Sequence, residues 1–425
     1  MIKKVLILGL LFLSFVLVSC TEEEIEKPDI IYNRIAGGIG FSLVIDDKGD
    51  LYGMGTQIYG ALATGVTEDI DILTPTKLND YFSLNPDETF VSVASGERNA
   101  FALTSLNRLF SWGWNIIGQT GTNLYDKVIT TPTNITPLLN LSFNEQIAQI
   151  QTSKHHTILL TTKGRVFGWG LNTNGEIGSA EEDIILIRQK VALKPVELTK
   201  YFKLSNRDVI IRIGLHHAVS AQNKFFAWGP YGINKDGFQS TVINEMSKYL
   251  NFLNEDEKVV NLLANGSYLV TDQNRIFKTA PLNAFIDGKT QNAIAYQNLS
   301  FLMDDTGQYP KIVEQNGNII LIQPNRKVRG YGMNEFGVLG AGHDVRLTFF
   351  RITENRQDIE YVYEDIVWII NWNIGEVIRY VHLSFDHTLM ITSDNRLFIW
   401  GSNANGELGD GTLESSYSPK EIHLY

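Results

Sequence analysis

Short apolar runs in this chain alternate with polar positions, reverse at a Gly or Asn, and return on an aromatic-rich run. The pattern recurs seven times. Its clearest copies are HHTILLTTKGRVFGWGLNTNGEIGS at 155–179 and DHTLMITSDNRLFIWGSNANGELGD at 386–410. Alternation with a period of two predicts half-buried strands, and a turn residue between two such runs predicts a hairpin. The aligned turn positions are Gly49, Asn107, Gly164, Asn223, Asn274, Asn325 and Asn395. All are residues that enter the left-handed backbone region at least cost.

Each returning strand carries a large side chain followed by Gly: Met54-Gly55, Trp112-Gly113, Trp169-Gly170, Trp228-Gly229 and Trp400-Gly401. The fifth copy has Thr279-Ala280 there. The sixth has Tyr331-Gly332 one residue late, which predicts a bulge in that strand. An aromatic next to Gly buries a broad ring while a neighbouring backbone comes close. A weaker pattern fills the gaps, as in TPTKLNDYFSLNPDETFVSVASG (74–96) and KPVELTKYFKLSNRDVIIRIGLH (194–216). Each such gap has a polar or Pro start, an apolar knot, an Asn/Asp/Glu turn and a β-rich run. One unit therefore holds about four short strands, the make-up of a propeller blade.

These residues resemble the regulator-of-chromosome-condensation repeat family. The likeness is closest at 155–178 and 386–411, where Trp400-Gly401-Ser402-Asn403 leads to Gly406-Glu407-Leu408-Gly409. It implies an all-β fold, a seven-bladed β-propeller. The fourth and fifth copies depart most: Pro230 follows Trp228-Gly229, and neither has the Gly-x-Leu-Gly turn. The first copy holds three strands, and the chain ends SPKEIHLY, the start of a repeat that never follows. Pairing of 421–425 with the first blade is therefore expected to close the ring and hide its edges. A closed ring of this kind is expected to be a monomer.

The first residues change the picture of where this fold resides. Lys3 and Lys4 precede an apolar run from Val5 to Val18 that ends in Leu17-Val18-Ser19-Cys20. A bilayer span needs about 20 residues, so the run is short for one. It resembles the signal peptide of bacterial lipoproteins, in which the Cys is acylated and the chain is cut before it. That resemblance implies three parts: a signal peptide at 1–19, an acidic tether at 20–31 and a propeller at 32–425. It also implies a lipid bilayer partner through acylated Cys20, on the extracytoplasmic face of a cell membrane. Cys20 is the only cysteine, so no disulfide is expected. Loss of Lys3 and Lys4 takes the formal charge from −11 to −13, which gives nucleic acid no electrostatic footprint.

Catalytic motifs are not found. The sequence has no nucleophile elbow, zinc-binding helix or phosphate-binding loop, so no catalytic residue, cofactor or metal is expected. His156, His217 and His387 share one place in three repeats, which reads as blade packing. Asp46-Asp47-Lys48-Gly49-Asp50 reads as a hairpin turn instead of a calcium loop. A cation follows six of the turns: Arg108, Arg165, Lys224, Arg275, Arg326 and Arg396, with Asp50 in the first copy. Rotational equivalence would set them in a ring, read either as a docking face or as local ion pairs. The longest gap between copies concentrates Tyr361, Tyr363, Trp368 and Trp372, candidates for an interface anchor or for packing within the blade.

The expected function is a non-catalytic platform that binds a protein or glycan. The family resemblance implies such a role, since related propellers grip protein partners across one face. Two alternatives are an inhibitor of an extracellular enzyme and a surface hydrolase or lyase working from an insertion loop.

Overall fold

The computed structural model describes residues 26–424 apart from 67–69, 180–189, 234–238, 251, 281–284, 287–288, 291–294, 301–309, 324–326, 344–348, 353–358, 363, 367 and 369. Cys20, Asn325, Arg326 and Tyr363 lie outside the described residues, as does the side chain of Tyr361. Seven four-stranded antiparallel sheets span 35–77, 90–134, 147–197, 210–245, 259–298, 311–366 and 378–422. We number them as blades 1 to 7. Each inner strand touches the inner strand of the next blade, and Ile378–Leu383 of blade 7 touches Ile35–Gly38 of blade 1. The ring is closed: a seven-bladed β-propeller.

The hairpin turns take the backbone expected of their residues. Asn107, Asn223, Asn274 and Asn395 have φ of 60°, 57°, 55° and 60°, and Gly49 and Gly164 have 82° and 75°. The sixth copy corrects the sequence alignment. Ile319 pairs with Tyr331 and Ile322 with Val328 without a register shift, so the expected bulge is absent there. Five residues, 323–327, connect the two strands, which places Lys327 and not Arg326 opposite the other cations. Register shifts do flank Met54, Trp112, Trp169, Trp228 and Trp400, where the third strand pairs with the outer one. The sheet bends where it seats its largest side chain.

Meander topology sorts the loops onto two faces. Turns between second and third strands, and the connections from one blade to the next, lie on a lower face. Turns after inner strands, and the loops leading to outer strands, lie on an upper face. Apolar clusters fill the spaces between adjacent blades, with Trp112, Trp169, Trp228 and Trp400 fully buried.

Ring closure differs from expectation. Ser416–Ile422 is the outer strand of blade 7 and pairs with Leu397–Gly401, while blade 1 supplies its own four strands. Side chains join the ends instead. Asp386 accepts from the Gly40 amide (3.0 Å) and contacts His387 Nδ1 (2.7 Å). His387 Nε2 meets Ser42 Oγ at 2.7 Å, and that hydroxyl donates to the Glu407 carbonyl at 2.8 Å. Ser384 adds a bond to the Gly38 carbonyl at 2.6 Å. A sheet that already has its four strands cannot take another at that place, so closure falls to the polar atoms facing across the seam.

The tether reading also needs correction at its end. Residues 29–33 are laid across the lower mouth of the axial channel. The Ile31 amide donates to Ala148 O (2.8 Å), the Val93 amide to Asn33 O (2.8 Å) and the Asn33 amide to Ser92 Oγ (3.0 Å). Asp29 pairs with Arg212 at 2.5 Å, and Pro28 is buried. The strap thus runs from blade 1 past blades 2 and 3 to blade 4.

Candidate functional site

Cations on the lower face are anchored. Each described member of the expected ring meets a carboxylate that is 0% exposed: Arg108 with Glu88, Arg165 with Glu145, Lys224 with Asp208, Arg275 with Glu257 and Arg396 with Glu376. The carboxylates sit in the turns that connect blades, where they also accept backbone amides three residues back, from Asn85, Ser142, Asn254 and Asn373. Guanidinium groups of Arg108, Arg165, Arg275 and Arg396 lie over Phe110, Phe167, Phe277 and Phe398 at 4.8–5.0 Å.

The Arg108 hydrogen bond holds the Glu88 carboxyl at a pKa of about 2, against the opposing effect of its burial. Burial works against ionisation of Glu145 and Glu257. Hydrogen bonds from Thr161, Ser142 and Arg165, and from Arg275 and Thr271, outweigh it and bring both to about 2. These are structural clamps between a hairpin tip and the incoming connection. Their charge is neutralised in place, which leaves little of a positive ring for a partner. The sequence reading missed the carboxylates. Their signal is the recurring Asn/Ser-x-x-Glu/Asp at 85–88, 142–145, 205–208, 254–257 and 373–376.

The aromatic candidates of the insertion are placed inside. Trp368 is 7% exposed, donates its indole N–H to Leu339 O (3.1 Å) and meets Trp400 edge-on at 4.9 Å. It has no surface to offer a partner. Trp372 is half-buried against the same cluster, on the lower face.

Histidines serve the joints between blades. His156 and His216 rings lie 5.0 Å apart, and His217 packs on Phe225 and Tyr231. Burial favours their neutral forms and lowers His156 to about 4 and His217 to about 3. The Ser42–His387–Asp386 chain has the order of a hydrolytic triad. Here, however, Ser42 is 0% exposed and its proton is directed at Glu407 O, so it fastens the seam. Among the described residues, no group of three or more His, Cys, Asp or Glu could hold a metal ion.

The upper face is different in character. Tyr59 and Phe336 occupy the same loop position in blades 1 and 6, both left-handed, with φ of 61° and 62°. They are 36% and 49% exposed. Bulky residues seldom adopt this backbone, and such strain collects at functional sites. The Arg98 guanidinium lies 4.9 Å from the Tyr59 ring and 5.9 Å from Trp114. Below them the axial channel holds a cavity of about 250 Å³ lined by inner strands, including Ser95, Thr152, Glu314 and His382. The strap's Asn33 lies at its lower end.

The model of the "Regulator of chromosome condensation (RCC1) repeat" matches residues 147–176 and 380–407. These segments hold the first three strands of blades 3 and 7 with the Gly-rich loops that follow. Two of the seven blades thus match the regulator-of-chromosome-condensation repeat. Yeast RCC1 (Prp20), solved bound to Kap60, superposes with a TM-score of 0.59 at 16% identity, over 86% of this chain and 82% of that one. Prp20p from Saccharomyces cerevisiae, solved in work on its binding to Gsp1p and histones, gives 0.58 at 15% identity over 86% and 84%. Among curated relatives, the ultraviolet-B receptor UVR8 of Arabidopsis thaliana is 30% identical over 225 residues, 52% of this chain and 46% of that protein. The human E3 ubiquitin-protein ligase HERC2 is 22% identical over 94% of this chain but only 8% of its own length. The chain thus spans less than half the length of these curated relatives.

The repeat explains how this propeller holds together. In blades 1, 2, 3 and 6 the loop after the third strand carries a Gly-x-x-Gly turn (Gly-x-x-Ala in blade 1) and leans on the next blade, whose Trp donates its N–H to a loop carbonyl. The pairs are Trp112 with Ala61 (2.8 Å), Trp169 with Gln119 (3.0 Å), Trp228 with Glu176 (3.0 Å) and Trp400 with Val338 (2.9 Å). Blades 4 and 5 lack this turn, and blades 5 and 6 lack the Trp that would reach it. At the joints after blades 4 and 5 both are absent, whereas blade 7 keeps its Gly406–Gly409 turn against Met54 of blade 1.

Proposed function

We propose that the chain is a lipid-anchored, extracytoplasmic propeller that recognises a protein partner through its upper face and performs no covalent chemistry. In coarse terms, such a propeller is a protein-binding platform. The observation that carries the finer reading is the set of Tyr59, Trp114 and Arg98 at the upper rim, with Phe336 in the equivalent loop of blade 6. Aromatic and Arg side chains are enriched among interface hot spots. Strained loop tips that stay exposed are costly unless something uses them. The solved relatives support a protein partner: yeast RCC1 was crystallised with Kap60, and Prp20p was studied for its binding to Gsp1p and histones. A glycan could stack on the same rings, so the test must tell the two apart.

The lipid anchor rests on the Leu17-Val18-Ser19-Cys20 sequence. The non-catalytic reading is supported by the engagement of the repeat's carboxylates and imidazoles in clamps and joints. The test places a photo-crosslinking side chain at Tyr59 in the full chain on living cells, with captured molecules identified by mass spectrometry. A protein captured at Tyr59, and lost with Arg98→Ala, is expected. Capture only from a lower-face position such as Lys163, or of glycan alone, would overturn the reading. The mass of the peptide that begins at Cys20 checks the acyl group separately.

A further inference from the structure

We infer that the lower face of the propeller is apposed to the lipid bilayer, with Phe143 and Ile374 entering the headgroup region as two pins. This rests on the anchoring reading above and deepens it by assigning each face a side.

The first observation is where the chain leaves the body. Asp29 is fixed to Arg212 on the inner strand of blade 4, and Pro28 is buried beside the lower mouth of the channel. From Cys20 to Pro28 the chain has nine residues, which reach at most about 30 Å when fully extended. A strap anchored by backbone hydrogen bonds in blades 2 and 3 cannot swing to the rim. An acyl chain on Cys20 therefore holds the lower face within that reach, and the upper face looks away.

The second observation is independent of the anchor. Phe143 at 87% and Ile374 at 107% are the most exposed large apolar side chains among the described residues. Both stand on lower-face connections, Phe143 between blades 2 and 3 and Ile374 between blades 6 and 7. Counted around seven blades, those connections lie nearly opposite each other across the axis. Tyr81 (47%) and Leu106 (55%) are exposed on the same face.

The flanking chemistry is that of a bilayer interface. The Lys163 ammonium donates to the Phe143 carbonyl at 2.9 Å, and half-buried Trp372 is two residues from Ile374. Cations and Trp with an apolar body and a wet end settle at headgroup depth. Two apolar tips alone bind a membrane weakly, and a net-acidic body adds no attraction to anionic lipid. Once a tether supplies high local concentration, they need only orient the body. The tether exit and the two tips make three contact points and so define a plane.

The test uses the chain from Cys20 onward, which contains every described residue, coupled through its only thiol to maleimide-headgroup lipid in phosphatidylcholine vesicles. It therefore does not depend on whether cells acylate Cys20. Indoles are introduced singly by Phe143→Trp, Ile374→Trp, Tyr59→Trp or Phe336→Trp, and quenching is measured with bromine on the acyl chains. The fluorescence added by Phe143→Trp and Ile374→Trp should fall by at least half, and that of the two upper-face variants should stay unchanged. Equal quenching of all four, quenching of the upper pair alone, or no quenching would each overturn the inference. Circular dichroism confirms that each variant is folded. Failure to find an acyl group on Cys20 in cells would sink the anchoring reading and leave the vesicle result standing.

Discussion

Lys77 and Asp50 form an ion pair of 2.7 Å in blade 1 that is the sign-reversed counterpart of Arg165 with Glu197 (2.7 Å) in blade 3. The registers are equivalent: Tyr52 pairs with Lys77 as Phe167 pairs with Glu197. Blade 1 thus keeps the clamp between its third and outer strands while exchanging the charges. What the repeat preserves at this place is complementarity. Lys77→Glu alone should lower the melting temperature slightly by setting like charges together. Asp50→Arg with Lys77→Glu should restore it, as a double-mutant cycle of thermal melts would show.

The buried clamps should matter more. Glu257→Gln leaves Arg275 without its carboxylate while the guanidinium stays pinned on Phe277. A loss of about 3 kcal/mol is expected in denaturant unfolding, the low end for breaking a buried pair from one side because Arg275 keeps some exposure. Arg275→Lys should recover little of the bidentate geometry of the native pair.

Acid should act in two stages. Unfolded His titrates near 6.5, whereas burial holds His156 and His382 at about 4 and His217 at about 3 in the fold. The folded state binds fewer protons, so this stability is complete above pH 6.5 and declines as pH falls towards 3–4. By this linkage His156 and His382 can each contribute up to about 3 kcal/mol and His217 up to about 5 kcal/mol. The carboxylates of Glu88, Glu145 and Glu257 add a second loss, from their ordinary 4.5 down to about 2. Melting temperature measured from pH 7.5 to 3 should begin to fall before any carboxylate titrates. His156→Asn, which copies Asn99 at the same place in blade 2, should flatten the first stage.

Trp169→Phe keeps most of the ring but removes the N–H that reaches Gln119 O. A buried carbonyl left without its donor costs about 1–2 kcal/mol. Thr279→Trp, by contrast, should bring no gain, because the sequence of blade 4 lacks the turn whose carbonyl receives the indole elsewhere. Unfolding of both variants in urea separates the hydrogen bond from ring volume.

The ring seam predicts a local effect. Ser42→Ala removes the link between His387 and Glu407 O. Amide hydrogen exchange should quicken in Ile35–Gly38 and His387–Thr392 more than in blades 2 and 3. Equal protection throughout would show that the apolar cluster alone closes the ring.

Much of this fold is legible in the residues, for physical reasons that also mark where the reading ends. Asn107 and Gly164 declare their turns because few residues accept that backbone, and Trp169-Gly170 declares a strand that must seat a wide ring beside a close neighbour. In Gly170 a Cβ would stand 2.3 Å from His155 O. The sixth copy was shifted by one residue because Asn325 looked like the turn residue, whereas strand register is set by pairing along Asn318–Ile322. The lipid-facing and partner-facing candidates are harder. A cation after six of the seven turns suggests a ring, but the carboxylates that absorb it lie 16 to 20 residues earlier, and only folding brings them to the turn. Trp368 looked like an anchor because aromatic content alone does not tell inside from outside. Tyr59 escaped notice because its strain is a backbone property that the letter does not carry.

The strap has a bearing on synthesis. Its hydrogen bonds are made with Ser92, Val93 and Ala148 and its ion pair with Arg212, all emerging from the ribosome well after Asp29. The strap, made before all of its partners, is among the last segments to settle, and it cannot do so until half the ring exists. Until then residues 29–33 stay open to any enzyme or chaperone that must grasp them.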